Sequence, residues 1–133
     1  MMGLTRNGEY ATRGMIFVAR QPAGRLALVG EVAAAVQAPP SFLAKIFQDF
    51  ARCGLVQSSR GSRGGFVLGR SPEEITLREV VEIAEGPILP NRCLLDDQLC
   101  RQTGTCRVHE VWRRIQRQMV ASLEAVTLAE LAA

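Results

Sequence analysis

The stretch from Leu26 to Arg70 constrains the fold most. In it a helical stripe, a tight break, a second stripe and a basic hairpin follow one another without a spacer. Leu28, Val29, Val32, Ala33 and Val36 recur at helical spacing and predict a short helix over 26–37. Ala38-Pro39-Pro40 breaks it. Ser41 is placed to cap a third helix through its hydroxyl, with Phe42, Leu43, Ile46, Phe47 and Phe50 on the buried side and Gly54 just past the end. The opposite side presents Ser41, Ala44, Lys45 and Gln48, with Asp49 and Arg52 beyond them. A short helix, a tight break and an amphipathic helix make a helix-turn-helix, whose second member enters the major groove of double-stranded DNA. Two packed helices joined by a proline turn also occur in domains that bind no DNA.

The following residues favour DNA. Residues 55–59 and 66–68 read as two short strands flanking Arg60-Gly61-Ser62-Arg63-Gly64-Gly65. Glycines there permit a tight hairpin and close backbone approach. Arg60 and Arg63, at the tip of such a hairpin, have no core to serve. A hairpin after a helix-turn-helix is a wing, and a basic wing tip reaches phosphates or the minor groove.

Around this unit the chain reads as helical. Ala11, Met15, Val18 and Ala19 predict a first helix from about Asn7 to Arg20. After the linker Ser71-Pro72-Glu73-Glu74, Thr76-Leu77-Arg78-Glu79 forms a capping box that opens a fourth helix, and Gly86-Pro87 stops it. From Arg107 a last helix runs toward the C-terminus with Val108, Val111, Ile115, Met119, Leu123 and Val126 as its stripe. That stripe can fold back on its own domain or pair with the same helix of a second chain. The homodimer is the preferred expectation, because it reads two half-sites. The predicted class is therefore mainly α: a winged helix-turn-helix over 1–86, a cysteine-containing loop over 87–106 and a dimerisation helix over 107–133.

The loop carries the metal chemistry. Cys93, Cys100 and Cys106, followed by His109, are set among Asp96, Asp97, Gln98, Arg101, Gln102 and Thr103. Thiolates with an imidazole suit zinc or an iron–sulfur cluster. Buried structural cysteines are the bland alternative, but the surroundings are polar. Cys53 reads instead as core packing in the third helix. There is no CxxC, His109 is the only histidine, and no reaction centre is recognisable, so an enzyme is not expected.

Charge agrees with this division. Residues 1–70 hold nine basic and three acidic groups, whereas residues 71–133 hold seven and ten. The N-terminal half is therefore the face for a polyanion. No apolar window long enough to span a bilayer and no apolar signal core occur, so a cytoplasmic protein without a membrane partner is expected. In that compartment cysteines serve metals or redox chemistry more often than disulfides.

Taken in order, Leu4-Thr5, Tyr10-Ala11, Ser41-Phe42-Leu43, Gly54-Leu55-Val56, the wing 60–68, Ile75 to Val81, the three cysteines and Cys106-Arg107-Val108-His109 carry a specific likeness. With them the chain resembles, over nearly its whole length, the IscR/NsrR/RirA-type bacterial winged-helix regulators that carry iron–sulfur clusters. The resemblance implies a homodimeric DNA-binding transcription factor, mostly a repressor, whose cluster presence or redox state controls promoter affinity and senses iron supply, redox state or nitric oxide. It implies Cys93, Cys100, Cys106 and His109 as ligands, since a histidine three positions after the last cysteine matches the IscR arrangement and favours a 2Fe-2S over a 4Fe-4S cluster. Related members recruit a carboxylate near the start of the first helix, which makes Glu9 an alternative fourth ligand. The Cys93–Cys100 gap is one residue longer than the IscR pattern. Ser41, Lys45 and Gln48 are the expected operator contacts in the major groove, with Arg60 and Arg63 at the wing. The alternative is the same DNA-binding unit with a structural Cys3His zinc or no metal.

Overall fold

The structure, a computed structural model, describes residues 3–59, 64–95 and 106–133. Helix α1 spans Arg6–Arg20 and is opened by Thr5, whose Oγ1 accepts the Gly8 N–H at 3.2 Å. It buries Ala11, Met15 and Val18, as its periodicity predicts. Strand β1 (Ala27–Leu28) and helix α2 (Val29–Val36) follow. The apolar spacing predicts this helix from Leu26. Instead Ala27 and Leu28 pair antiparallel with Phe66 and Gly65 of the wing, a contact some forty residues away that no local pattern encodes.

The α2–α3 break is made by Gln37, which adopts a left-handed conformation (φ 57°). Helix α3 spans Pro40–Arg52 with Pro39 at its N-cap. Ser41 therefore lies one turn position inside the helix and caps nothing. Proline suits the first helical position because its missing N–H would have had no partner there and its φ is already helical. At the other end Leu55 N donates to Phe50 O (3.0 Å) and Gly54 N to Ala51 O (3.1 Å), with Gly54 at φ +82°. This is the Schellman stop that Gly54 predicts. Cys53 is exposed, not in the core. It falls in phase with Ile46 and Phe50, but the helix has ended and the chain turns before the thiol can follow them inward.

Strands β2 (Val56–Ser59) and β3 (Gly65–Leu68) form the wing, in a sheet ordered β1-β3-β2 with Val56 opposite Leu68 and Ser59 opposite Gly65. Gly65 has to be glycine: a Cβ there would lie 2.5 Å from the Ala27 carbonyl oxygen and 2.9 Å from Leu26 Cγ. The core sits between α1, α3 and this sheet. Phe47 packs edge-on against Phe50 (5.4 Å, 86°) and against Phe66 at 5.1 Å.

Helix α4 (Leu77–Glu85) starts with the expected capping box: Glu79 N donates to Thr76 Oγ1 at 3.2 Å and Thr76 N to Glu79 Oε2 at 3.0 Å. Helix α5 (Arg107–Glu124) packs on α4, but it does not run to the C-terminus as expected. Thr127 bridges to Thr76, Leu77 N donates to Val126 O (2.9 Å) and Leu128 N to Ile75 O (2.8 Å). A separate helix α6 (Leu128–Ala132) then folds back onto α1. Leu128 is 1% exposed. Burying such a side chain stabilises by about 1.5–3 kcal/mol, which gives the break at 125–127 its reward. Among the described residues no helix is long and apolar enough to cross a membrane.

Candidate functional site

Two regions concern function: the outer face of α3 with the wing beside it, and the segment leading into α5. Leu43, Ile46, Phe47 and Phe50 anchor one side of α3 in the core. The opposite side therefore turns Ser41, Lys45 and Gln48 outward, four and three residues apart on one line, and all three are exposed. Arg52 is taken up by an ion pair with Asp49, which leaves Lys45 as the cation of that line. Ala44 is half-buried beside it. Gln57, Ser58 and Ser59 of β2 are exposed on the adjoining wing. Arg60 and Arg63 lie outside the described residues. At the base of the wing Arg70 pairs with Glu79 at 2.7 Å. Burial alone would raise the Glu79 carboxyl, but the Thr76 backbone N–H and the Arg70 guanidinium outweigh it and hold the group below its ordinary value.

In the second region Cys93 is half-buried in a one-turn 3-10 helix (Arg92–Leu94), and Asn91 Nδ2 donates to its Sγ at 3.5 Å. Cys106, also half-buried, occupies the N-cap of α5 without a capping bond. Both are free thiols. His109, in the first turn of α5, is 6% exposed, and neither ring nitrogen has a hydrogen-bond partner among the described residues. Buried polar atoms are nearly always paired, so an imidazole with both nitrogens orphaned calls for an explanation. Cys100 lies outside the described residues. Among the described residues no three His, Cys, Asp or Glu side chains converge to hold a metal ion. Cys93, Cys106 and His109 thus flank the segment as free donors without forming a set by themselves. Glu9 is exposed on the first turn of α1.

Three residues missed by sequence reasoning hold this region together. Gln116 Nε2 on α5 donates to Ile88 O (2.9 Å), fixing the approach to Cys93. Glu85, the last residue of α4, accepts from Thr5 N (3.0 Å) and Thr5 Oγ1 (2.5 Å), tying the start of α1 to the end of α4. Asn91 is the third. Glu85 and Thr5 are eighty positions apart and Gln116 and Ile88 twenty-eight, so no periodicity could pair them. Asn91 stands two residues before a cysteine, which was the one available hint.

A helix-turn-helix with an exposed polar line on its second helix, a three-stranded wing and a long helix beyond defines a winged-helix DNA-binding protein. Residues 4–133 match Rrf2, described as iron-dependent transcriptional regulator, and the chain belongs to that family. It is 33% identical over 131 residues to Rv1287, a candidate HTH-type transcriptional regulator of Mycobacterium tuberculosis H37Rv, covering 98% of this chain and 81% of that one. It is 29% identical over 131 residues to the HTH-type transcriptional regulator CymR of Bacillus subtilis, covering 98% and 90%. The solved structure of CymR, named the global cysteine regulator of B. subtilis, superposes with a TM-score of 0.79 at 29% identity, over 99% of this chain and 97% of that one. T. potens IscR superposes at 0.77 with 20% identity, over 97% and 85%, a likeness of fold. These relatives are regulators of transcription and not enzymes.

Proposed function

We propose that this DNA-binding regulator is a repressor whose operator affinity is set by an iron–sulfur cluster held by Cys93, Cys100, Cys106 and His109. The observation that carries the reading is His109: a buried imidazole with both nitrogens unpartnered among the described residues, three positions after a half-buried free thiol. Thiolate and imidazole donors fit iron with sulfide, and the family description, iron-dependent, agrees. When bound, such a cluster, taken as 2Fe-2S, supplies one-electron redox chemistry and sensitivity to oxidant and nitric oxide.

The chain's own residues supply the coupling. Gln116 and the buried Ile88 hold the segment before Cys93 to α5, while Arg78 of α4 reaches Glu124 of α5 at 3.4 Å. A centre held at Cys93, Cys106 and His109 therefore bears on how α5 sits against the DNA-binding unit. Helix α5 keeps Val108 and Val111 61% and 44% exposed, an apolar edge suited to the same helix of a second copy. In a homodimer of that kind, α5 spaces two α3 helices over two half-sites. Ser41, Lys45 and Gln48 read the major groove, and Arg60 and Arg63 contact phosphate or minor groove beside it.

The same Cys3His set is a closed tetrahedral site for zinc, which is the second reading. Anaerobic purification followed by native mass spectrometry separates them. A coloured dimer carrying iron and sulfide is expected. A colourless protein with stoichiometric zinc replaces the cluster with a structural metal, and a metal-free monomer refutes both the site and the dimer.

A further inference from the structure

A cavity of about 400 Å³ lies where the start of α1, helix α4 and the second half of α5 meet. Leu4 before α1, Leu77 and Val81 of α4, Leu89 beyond it, and Met119 and Leu123 of α5 give it apolar walls. Apolar walls with a few placed polar groups are the usual form of a small-molecule site. Glu85 supplies the polar group here. Its Oε1 accepts from Thr5 N (3.0 Å) and Thr5 Oγ1 (2.5 Å), which fixes the carboxylate, while Oε2 has no partner among the described residues. Gly8 leaves the room this placement needs, since a Cβ there would collide with the carboxylate. None of the described lining residues is Lys or Arg, so no side chain of the cavity answers the charge. Gly3 and Pro87, which line the cavity close to Thr5 and Glu85 in the chain, are exposed. The complement of such a cavity is an apolar body with one cationic donor at its solvent-facing end.

We infer that the cavity binds a compact primary amine, with its ammonium on Glu85 Oε2 and its hydrocarbon body between α4 and α5, and that occupancy alters operator affinity. An ammonium offers donors only, which suits an oxygen that can only accept. The cavity joins α1 and α4 of the DNA-binding unit to α5. An occupant that fits one placement of α5 better than another shifts the balance between them, and with it the DNA-binding geometry. The site uses none of the cysteines and not His109, so it is independent of the metal centre.

The test is isothermal titration calorimetry of the full chain with phenethylamine, beside phenethyl alcohol and hydrocinnamate, for the native protein, Glu85→Gln and Leu123→Trp. A circular dichroism spectrum is recorded for each, and operator affinity is measured with and without saturating amine. The native chain is expected to bind one amine with a Kd below about 1 mM. It should bind the alcohol about tenfold more weakly, because the alcohol lacks the charge-assisted bond, and the carboxylate more weakly still. Glu85→Gln, which keeps an oxygen for Thr5, is expected to bind amine and alcohol alike. Leu123→Trp, which fills the cavity, should bind neither and still bind operator. Saturating amine should change native operator affinity by at least about 5-fold and leave that of Leu123→Trp unchanged. A native chain that does not bind the amine saturably, as when a second copy covers the cavity in solution, overturns the inference. Equal native affinity for amine and alcohol does so too, as does an amine preference that survives in folded Glu85→Gln. Amine binding that persists in folded Leu123→Trp, or native operator affinity indifferent to the amine, also overturns it.

Discussion

His109→Leu should make the metal-free protein more stable while it weakens the hold on iron. A neutral imidazole has one donor and one acceptor nitrogen, and in this chain neither is paired among the described residues at 6% exposure. Leaving a buried polar group unsatisfied costs about 1–3 kcal/mol. Leucine is close in size and removes both polar atoms without opening a large cavity, so most of that cost should be recovered. With an unfolding entropy of about 2.1 cal/mol/K per residue over 133 residues, a gain of about 1–3 kcal/mol raises the melting midpoint by about 4–11 °C. The assay compares thermal melts of chelator-treated native and variant protein at one concentration, then iron per chain after anaerobic reconstitution. Leucine offers no ligand atom, so iron retention should fall as apo stability rises. Midpoints for the variant at or below native would mean that the imidazole is already satisfied in the folded chain. The observation carrying the metal-site reading would then be lost.

Other perturbations address separate parts of the account. Lys45→Ala and Gln48→Ala should each weaken operator binding by about 5–150-fold, the range for about 1–3 kcal/mol per base contact, read by fluorescence anisotropy at one fixed salt concentration. Equal affinity in both would take the outer face of α3 off the DNA. Gly65→Ala places a methyl 2.5 Å from the Ala27 carbonyl and should separate β1 from β3, lowering stability by about 1–3 kcal/mol in a denaturant melt. Glu79, held below its ordinary value of 4.5, contributes stability above that pH and loses it as pH falls through its folded value. Glu79→Gln should therefore narrow the difference in melting temperature between neutral and acidic buffer, modestly, since the ion pair with Arg70 is about one-third exposed.

Much of the helical framework was legible because periodicity and caps are local. The stripes of α1, α3 and α4, the Thr76–Glu79 box and the Gly54 stop all lie where their residues predict. The errors share a cause: long-range contact overrode a local pattern. Ala27 and Leu28 continue the helical stripe of α2, yet their backbone serves the wing. Val126 continues the stripe of α5, yet its carbonyl is taken by Leu77. A local signal for that break did exist, since Thr127 accepts the Glu130 N–H at 3.2 Å as an N-cap. Ser41 and Cys53 depart from expectation at the two ends of α3, where one residue of offset decides whether a side chain caps, packs or faces solvent. Of the site, the donor residues were readable from their chemistry. The bonds from Gln116, Glu85 and Asn91 were not, because they join segments by tertiary placement or use a side chain against its usual role.

The central claim, that the state of the 93–109 segment governs DNA binding, is tested most directly by operator affinity. The protein is prepared anaerobically and measured before and after removal of its metal centre, beside a variant with Cys93, Cys100 and Cys106 all changed to serine. A change of at least about 5-fold in the native protein, about 1 kcal/mol of coupling, with no response in the variant, is the predicted result. Identical affinities for the native protein in both states would contradict it.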